Sequence, residues 1–439
     1  MIRSAKRGQA VAPSGNSLLL LKEVLIFGIG YSSFLRGGIQ VINFILNMPT
    51  KIIFGKGEST RTGEIVQEYG TKALLVTGKT SAKKTGSLRK IEQSMQQAGI
   101  QYIIYDQIEP NPRATTVDKG GQIAREEGCD VIVALGGGST MDAAKAIATV
   151  ALSGRPCGEY IRGNKTGKWK ELLPIQKALP IVTIPTLAAT GSETNNTAVI
   201  TNWETGEKSG MSGPGLHPKA AILDPELTYS VSAAYTADGA VDIFTHLYEG
   251  YFSGDENANV QDEITEGLMR NVIEYGRKAM DCPEDYEARS HLQWTSSLAL
   301  IGIANAGRGG GFPVHGMEHI LSAHYDISHG RGLAILTPSY FEYIVKREKS
   351  HRLARLGRKV FQIHEKDDQV VADATIKAVV AWFKELEAYG TLQQMGIEKE
   401  KLAFMAKESV RISGLDGQYL PGPRNITSED VLRIFEMSY

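Results

Sequence analysis

From Pro49 to about Asp224 the chain alternates short β-rich runs with helical ones, and after Asp224 the β runs stop. KIIFG, KALLVTG (72–78), QYIIYD (101–106) and DVIVALGGGS (130–139) read as strands. SLRKIEQSMQQAG (87–99), VDKGGQIAREEGC and MDAAKAIATVALS (141–153) carry helical spacing between or after them. Strands separated by helices pair through crossovers, so the rhythm predicts a parallel sheet with helices on both faces. PIVTIPTLAATGSE (180–193) adds a strand and a Thr/Ser/Gly-rich turn. Beyond it the chain reads as helix after helix, broken by loops at GRGGG (307–311) and LPGP (420–423). At 439 residues the chain exceeds one ordinary core, and the expected architecture is an α/β N-terminal domain followed by an all-α C-terminal domain.

Residues 1–40 stand apart. They carry Arg3, Lys6, Arg7, Lys22 and Arg36 against Glu23 alone, with the apolar run LLLLKEVLIFGIGYSSFL. Lys22 and Glu23 interrupt that run and no A-x-A-like site follows, which argues against a signal peptide or a membrane span. The organised pattern begins at PTKIIFGKGE, so residues 1–41 are expected to be a dispensable extension, with Val41 fitting a mis-set start. The formal net charge is −1 with both signs scattered, which leaves no electrostatic footprint for nucleic acid and points to small-molecule partners. Three widely spaced cysteines make no disulfide framework, so the reducing cytoplasm is the expected compartment.

Two features carry chemistry. Gly136-Gly137-Gly138-Ser139 lies where a strand ends and a helix begins, where glycines let backbone N–H groups approach a phosphate and the helix N-terminus favours an anion. Met141 replaces the third glycine of the G-x-G-x-x-G pattern, and a tight turn explains such a loop about as well; Asp142 and the TLAATGSE cluster tip the balance toward a nucleotide. Asp242 and His246 are four apart in a helical run and share one face. His315, His319, His324 and His329 crowd residues 315–329. Imidazoles with one carboxylate suit Fe2+, Zn2+ or a similar divalent ion and suit Mg2+ or Ca2+ poorly. Spacing alone leaves open which of these histidines are ligands.

In order and spacing, ALGGGSTMDAAKAIA, IPTLAATGSETNNTAVIT, AVDIFTHLYEGYFS and FPVHGMEHILSAHYDISHGRGLAIL resemble the iron-containing alcohol dehydrogenases, in the wording of their NADP-dependent butanol dehydrogenase and aldehyde reductase branch. The resemblance runs from about Ile42 to the C-terminus. It implies a Rossmann-like dinucleotide-binding domain over 42–226 and a helical, dehydroquinate synthase-like metal domain over 227–439, in a homodimer. It further implies hydride transfer between a nicotinamide and a primary alcohol or aldehyde, with Fe2+ ahead of Zn2+ as the metal. By the same resemblance Asp242, His246, His315 and His329 are the ligands, and His319 stays off the metal to relay protons. Gly137, Gly138, Ser139 and Asp142 would hold the pyrophosphate and nicotinamide side. Thr186, Thr190, Asn195 and Lys208 would line the rest of the cleft, and Gly78, Ser81 and Asn111 complete the cofactor-binding set. His324 matches no functional position.

One departure concerns the cofactor. NAD-using members carry an aspartate where this chain has Gly78, followed by Lys79, Thr80, Ser81, Lys83 and Lys84. A carboxylate there would repel a 2′-phosphate, whereas glycine leaves room and the lysines supply charge, so NADP(H) is expected over NAD(H). Three rivals remain: a glycerol-type polyol dehydrogenase of the same superfamily, a metal-dependent hydrolase, which has no use for the glycine loop, and a silent nucleotide-binding module, which has no use for four metal ligands.

Overall fold

The computed structural model describes residues 43–161 and 173–439, so the extension over residues 1–41 lies outside the described residues. The strands are β1 Lys51–Phe54, β2 Lys72–Gly78, β3 Gln101–Ile108, β4 Val131–Gly136, β5 Ile181–Pro185, β6 Thr197–Asn202, β7 Glu207–Ser212 and β8 Ala220–Leu223. Six of them form one sheet in the order β1-β8-β5-β4-β2-β3, with every pairing parallel. Between them run α1 Thr62–Gln67, α2 Ser81–Lys84, α3 Ser87–Gln97, α4 Ala114–Glu126 and α5 Gly138–Ser153. The period of two sorts the strand residues by face. Leu74, Val76, Ile132 and Ala134 pack with Val117 of α4 and Ile147 of α5, whereas Ala73, Leu75, Val131 and Val133 pack with Ile65 of α1 and Ile91 of α3. Both faces are dry, which is why these strands read as unbroken apolar runs.

The strand order reverses at β2. β3 lies on one side of it and β4 on the other, so the carboxyl ends of β2 and β4 flank the point where the connections diverge and open a crevice. Gly78 closes β2 and Gly136 closes β4, so both loops singled out in the sequence meet there.

The antiparallel hairpin of β6 and β7, registered Thr197↔Ser212 through Asn202↔Glu207, was not expected from sequence. EKSGMS is polar and carries no alternation, and its pairing with TAVITN depends on a turn through Trp203–Gly206 in which Gly206 has φ 67°. The hairpin matters because it lies against the helical half of the molecule.

That half comprises α6 Ala233–Ser253, α7 Asn259–Asp281, α8 Tyr286–Leu300, α9 Pro313–Tyr325, α10 His329–Tyr340, α11 Lys346–Glu348, α12 Ser350–Val360, α13 Asp368–Glu385, α14 Leu402–Ser413 and α15 Ser428–Met437. α6 is buried from Thr236 to Phe252, so it is the central rod around which the others pack. Among the described residues no helix is long and apolar enough to cross a membrane.

Candidate active site

α6 begins at Ser232, whose Oγ accepts from the Tyr235 N–H, and this start sets the phase that turns Asp242, His246 and Glu249 to one side. α9 starts with Pro313 at a first-turn position, where a missing N–H costs nothing, and brings His315 against that side. A loop through Asp326 then feeds His329 into α10 as its first residue. Asp242 Oδ1 lies 3.4 Å from His246 Nδ1, 3.4 Å from His315 Nε2 and 3.8 Å from His329 Nε2. The edge of a tetrahedron with bonds of about 2.0–2.1 Å is roughly 3.3–3.4 Å. Asp242, His315 and His329 offer donor atoms that all lie within 4.8 Å of one another and can grip a divalent ion, whereas His246 comes within that reach of Asp242 but stands outside the mutual grouping. His246 Nδ1 is buried without a hydrogen-bond partner among the described residues, a cost that a bound cation would remove. The ring of His246 stacks on that of His315 at 4.3 Å.

Glu318, His319 and His329 also stand close enough to grip an ion. Glu318, however, already receives His329 Nδ1 and Ser322 Oγ and faces Lys208 Nζ at 3.7 Å, so its oxygens are spent. The grouping around Asp242 is therefore the metal candidate. His319 is half-buried beside it, its ring centroid 5.6 Å from that of His329 and 6.5 Å from that of His315.

Glu249 and Glu318 were missed in the sequence. Glu249 is hydrogen-bonded to His315 Nδ1 and accepts from the Val314 N–H, while Glu318 takes Nδ1 of His329. Both carboxylates are fully buried. Each fixes its imidazole in the tautomer whose Nε2 faces Asp242, the arrangement that orients metal-binding histidines. The signal was present as spacing: Glu249 is seven residues after Asp242 and Glu318 three after His315, each on the ligand-bearing face of its helix.

The electrostatics follow. Burial pushes the Asp242 carboxyl up, but His246, His329 and His315 outweigh it and hold it well below the ordinary carboxylate range. Burial takes His246 down to about 3, whereas at His315 burial is outweighed by Glu249 and Asp242, which raise the imidazole to about 10. A metal at this site displaces that proton.

At the crevice, Gly137 and Gly138 form the entry to α5 with Ser139 in its first turn, and the Thr186 N–H donates to Gly136 O at 3.0 Å. Thr190 packs directly on Gly138, where a Cβ would stand 2.4 Å from Thr190 Cγ2. Asp142 and Asn195 sit deeper. Asp142 accepts from Ser192 Oγ at 2.5 Å and from the Val199 N–H at 2.9 Å. Asn195 accepts from Lys145 Nζ at 2.9 Å and donates to Gly191 O at 3.2 Å. Both therefore brace the loop over the glycines. Lys145, also missed, is fully buried and donates to Ser192 Oγ, Asn195 Oδ1 and Thr197 O at 2.8, 2.9 and 2.7 Å. Burial takes its amine down to about 8, against the pull of Asp142 and Glu193. Gly78 is half-buried, and a Cβ there would make only ordinary contacts, with Ile108 O at 3.7 Å and Ser81 Oγ at 4.0 Å. Ser81 is exposed at the start of α2. Lys83 is taken by Asp106. Asn111 and Lys208 are hydrogen-bonded to each other at 2.9 Å, and Lys208 stands 3.7 Å from Glu318. His324 is exposed, with its ring against Phe404.

Residues 49–225 match the family model of the iron-containing alcohol dehydrogenases, and residues 236–439 match the model of that family's C-terminal part. The chain belongs to the iron-containing alcohol dehydrogenase family. Over 400 residues it is 42% identical to the NADH-dependent butanol dehydrogenase A of Clostridium acetobutylicum, covering 91% of this chain and 100% of that one. It is 32% identical to the NADPH-dependent aldehyde reductase YqhD of Escherichia coli, over 83% of this chain and 92% of that one. The crystal structure of an NADH-dependent butanol dehydrogenase A from Thermotoga maritima superposes with a TM-score of 0.85 at 33% identity, over 90% of this chain and 98% of that one. As an iron-containing alcohol dehydrogenase the chain is an oxidoreductase of alcohols and aldehydes that uses a divalent metal and a nicotinamide cofactor.

Proposed function

We propose that the protein reduces aldehydes to primary alcohols, or runs the reverse, with Asp242, His246, His315 and His329 as the ligands of one Fe2+, Zn2+ being the alternative ion. The observation that carries this reading is the convergence of three imidazoles on one carboxylate, two of them braced by buried glutamates. When bound, the metal supplies a Lewis acid for the substrate oxygen. The four side chains hold that centre, and Glu249 and Glu318 keep His315 and His329 aimed at it. Gly137, Gly138 and Ser139 present backbone N–H groups to the pyrophosphate at the α5 N-terminus, and Thr186 and Thr190 wall the cleft. His319, off the ligand set, passes a proton between the substrate oxygen and solvent.

For the cofactor we propose NADP(H) ahead of NAD(H). The missing side chain at Gly78 and the exposed Ser81, Lys79 and Lys84 support room and charge for a 2′-phosphate. Lys83 is paired with Asp106 and adds little. The relatives' names do not favour this preference, since the Clostridium acetobutylicum enzyme, 42% identical, is named for NADH and YqhD, 32% identical, for NADPH. The proposed setting is a homodimer in the cytoplasm, with the boundary between the two domains near residue 226. An assay of NADPH and NADH oxidation over a series of aldehydes, with defined metals added to the apo protein, tests the reading. Oxidation that needs a divalent ion is expected, and metal-independent turnover would refute it.

A further inference from the structure

Two residues of the sheet half are inserted between two of the helical half, the end of α9 ahead of His329 and the carboxylate that binds its Nδ1. Asp326, in the left-handed region at φ 51°, ends α9, and its Oδ1 accepts from Asn111 Nδ2 at 2.8 Å. Asn111, in the loop after β3 and itself at φ 50°, accepts at Oδ1 from Lys208 Nζ at 2.9 Å. Lys208, on β7 and buried, stands 3.7 Å from Glu318 Oε2, the oxygen that binds His329 Nδ1. The chain of contacts therefore leaves the helical half at Asp326, passes through Asn111 and Lys208, and re-enters it at Glu318. Burial pushes the Glu318 carboxyl up, but His329 and Lys208 hold it below its ordinary value.

The two braced histidines differ in this respect. Glu249, behind His315, is held within the helical half by the Val314 N–H. Glu318, behind His329, also receives Ser322 Oγ of its own helix, but the lysine that faces it comes from the other half. A buried carboxylate without that partner is costly and shifts its position or its proton.

We propose that Asn111 and Lys208 are positioning residues for His329, acting through Asp326 and Glu318, so that seating of the β6–β7 hairpin and affinity at the metal site are thermodynamically linked. The inference rests on the metal reading above, and it gives these two residues a task beyond lining a cofactor cleft. Linkage is reciprocal, so an ion at the site also tightens the hairpin against α9.

The test is cobalt affinity of the full-length protein by competition with a chelator, alongside the visible absorption of bound Co2+, which reports coordination geometry. Asn111→Gly keeps the left-handed backbone and removes the amide without changing charge. It is expected to weaken Co2+ about tenfold, the lower end of the range for partners behind ligands, and to alter the spectrum. Lys208→Met is expected to weaken Co2+ and perturb the same bands. Glu207→Gln removes the neighbouring cross-half ion pair to Arg411, 2.7 Å long, without touching Glu318, and should leave affinity and spectrum unchanged. Wild-type affinity and spectrum in Asn111→Gly and Lys208→Met would overturn the proposal. So would equal weakening by Glu207→Gln, which would mark general loosening of the hairpin. Tighter Co2+ in Lys208→Met, the result of merely deleting a positive charge beside the site, would overturn it as well. A wild-type protein that binds no Co2+ would instead sink the metal reading itself.

Discussion

Gly137 and Gly138 are adjacent in the same loop, yet the structure gives alanine opposite consequences at the two. A Cβ on Gly138 would stand 2.4 Å from Thr190 Cγ2 and 2.8 Å from Thr190 Oγ1. Carbon atoms rest at about 3.5–4.0 Å, so Thr190 and the loop it belongs to must retreat by roughly 1 Å. Lys145, Asp142 and Asn195 pin that loop, so it cannot move freely, and overpacking of this kind costs about 1–3 kcal/mol. Gly137 has φ −82° and ψ −170°, open to any residue, and its Cβ would meet only Leu187 at 3.6 Å, an ordinary contact. Gly137→Ala should therefore change stability by no more than about 0.5 kcal/mol. Its added methyl would instead hold a phosphate away from the amides entering α5. Losing one hydrogen bond to a charged group is worth about 1.5–3 kcal/mol, roughly a 10- to 150-fold loss of nucleotide affinity. Thermal unfolding of the two variants, with titration of NADPH or NADH by nucleotide fluorescence, separates the effects. Wild-type nucleotide affinity in Gly137→Ala would refute the assignment of the loop as a phosphate cradle.

Among the histidines, His246→Ala, like loss of any other ligand, should empty the site. His319→Ala should keep about one metal per chain and lose roughly 10²-fold in rate with an altered pH profile; metal analysis by mass spectrometry beside steady-state rates checks this, and a metal-free His319→Ala would reassign the ligands. Gly78→Asp should shift preference toward NADH by about 1–3 kcal/mol, read as the ratio of kcat/KM values for the two cofactors, and an unchanged ratio would remove Gly78 from cofactor choice. Asp430 closes the capping box of α15 and binds Arg424 at 2.7 and 2.8 Å; burial raises its carboxyl, but Arg424 and the Thr427 N–H outweigh this and hold it at about 2. A depressed carboxylate stabilises the fold above its unfolded value near 3.8 and loses that contribution as the pH falls through 2. With Arg424 one third exposed, Asp430→Asn should cost about 1–2 kcal/mol at neutral pH in urea unfolding, and the difference from wild type should shrink toward pH 2. A pH-independent difference would contradict the assignment.

Much of the fold is legible in the sequence. The β-α rhythm is local chemistry, since apolar runs ending in glycine and helices with 3.6-residue spacing carry their own signals, and β2, β4, α3 and α5 formed where those signals lay. The pairing of Asp242 with His246 was equally local, being one turn of one helix. What the sequence could not show was anything that depends on which elements become neighbours. The polar strand β7 exists because β6 pairs with it. That Asp142 and Asn195 also brace the loop over the glycines appears only once α5 is packed under it. Lys145 and Glu318 are unremarkable as residues and become decisive only once burial removes water and forces each to find its partners in the protein. Asn111 and Lys208 sit 97 positions apart and meet beside a histidine more than a hundred residues further on. Local spacing can encode a helix face, but only the tertiary fold, by closing two chain halves on one another, decides which charges must share the same dry space.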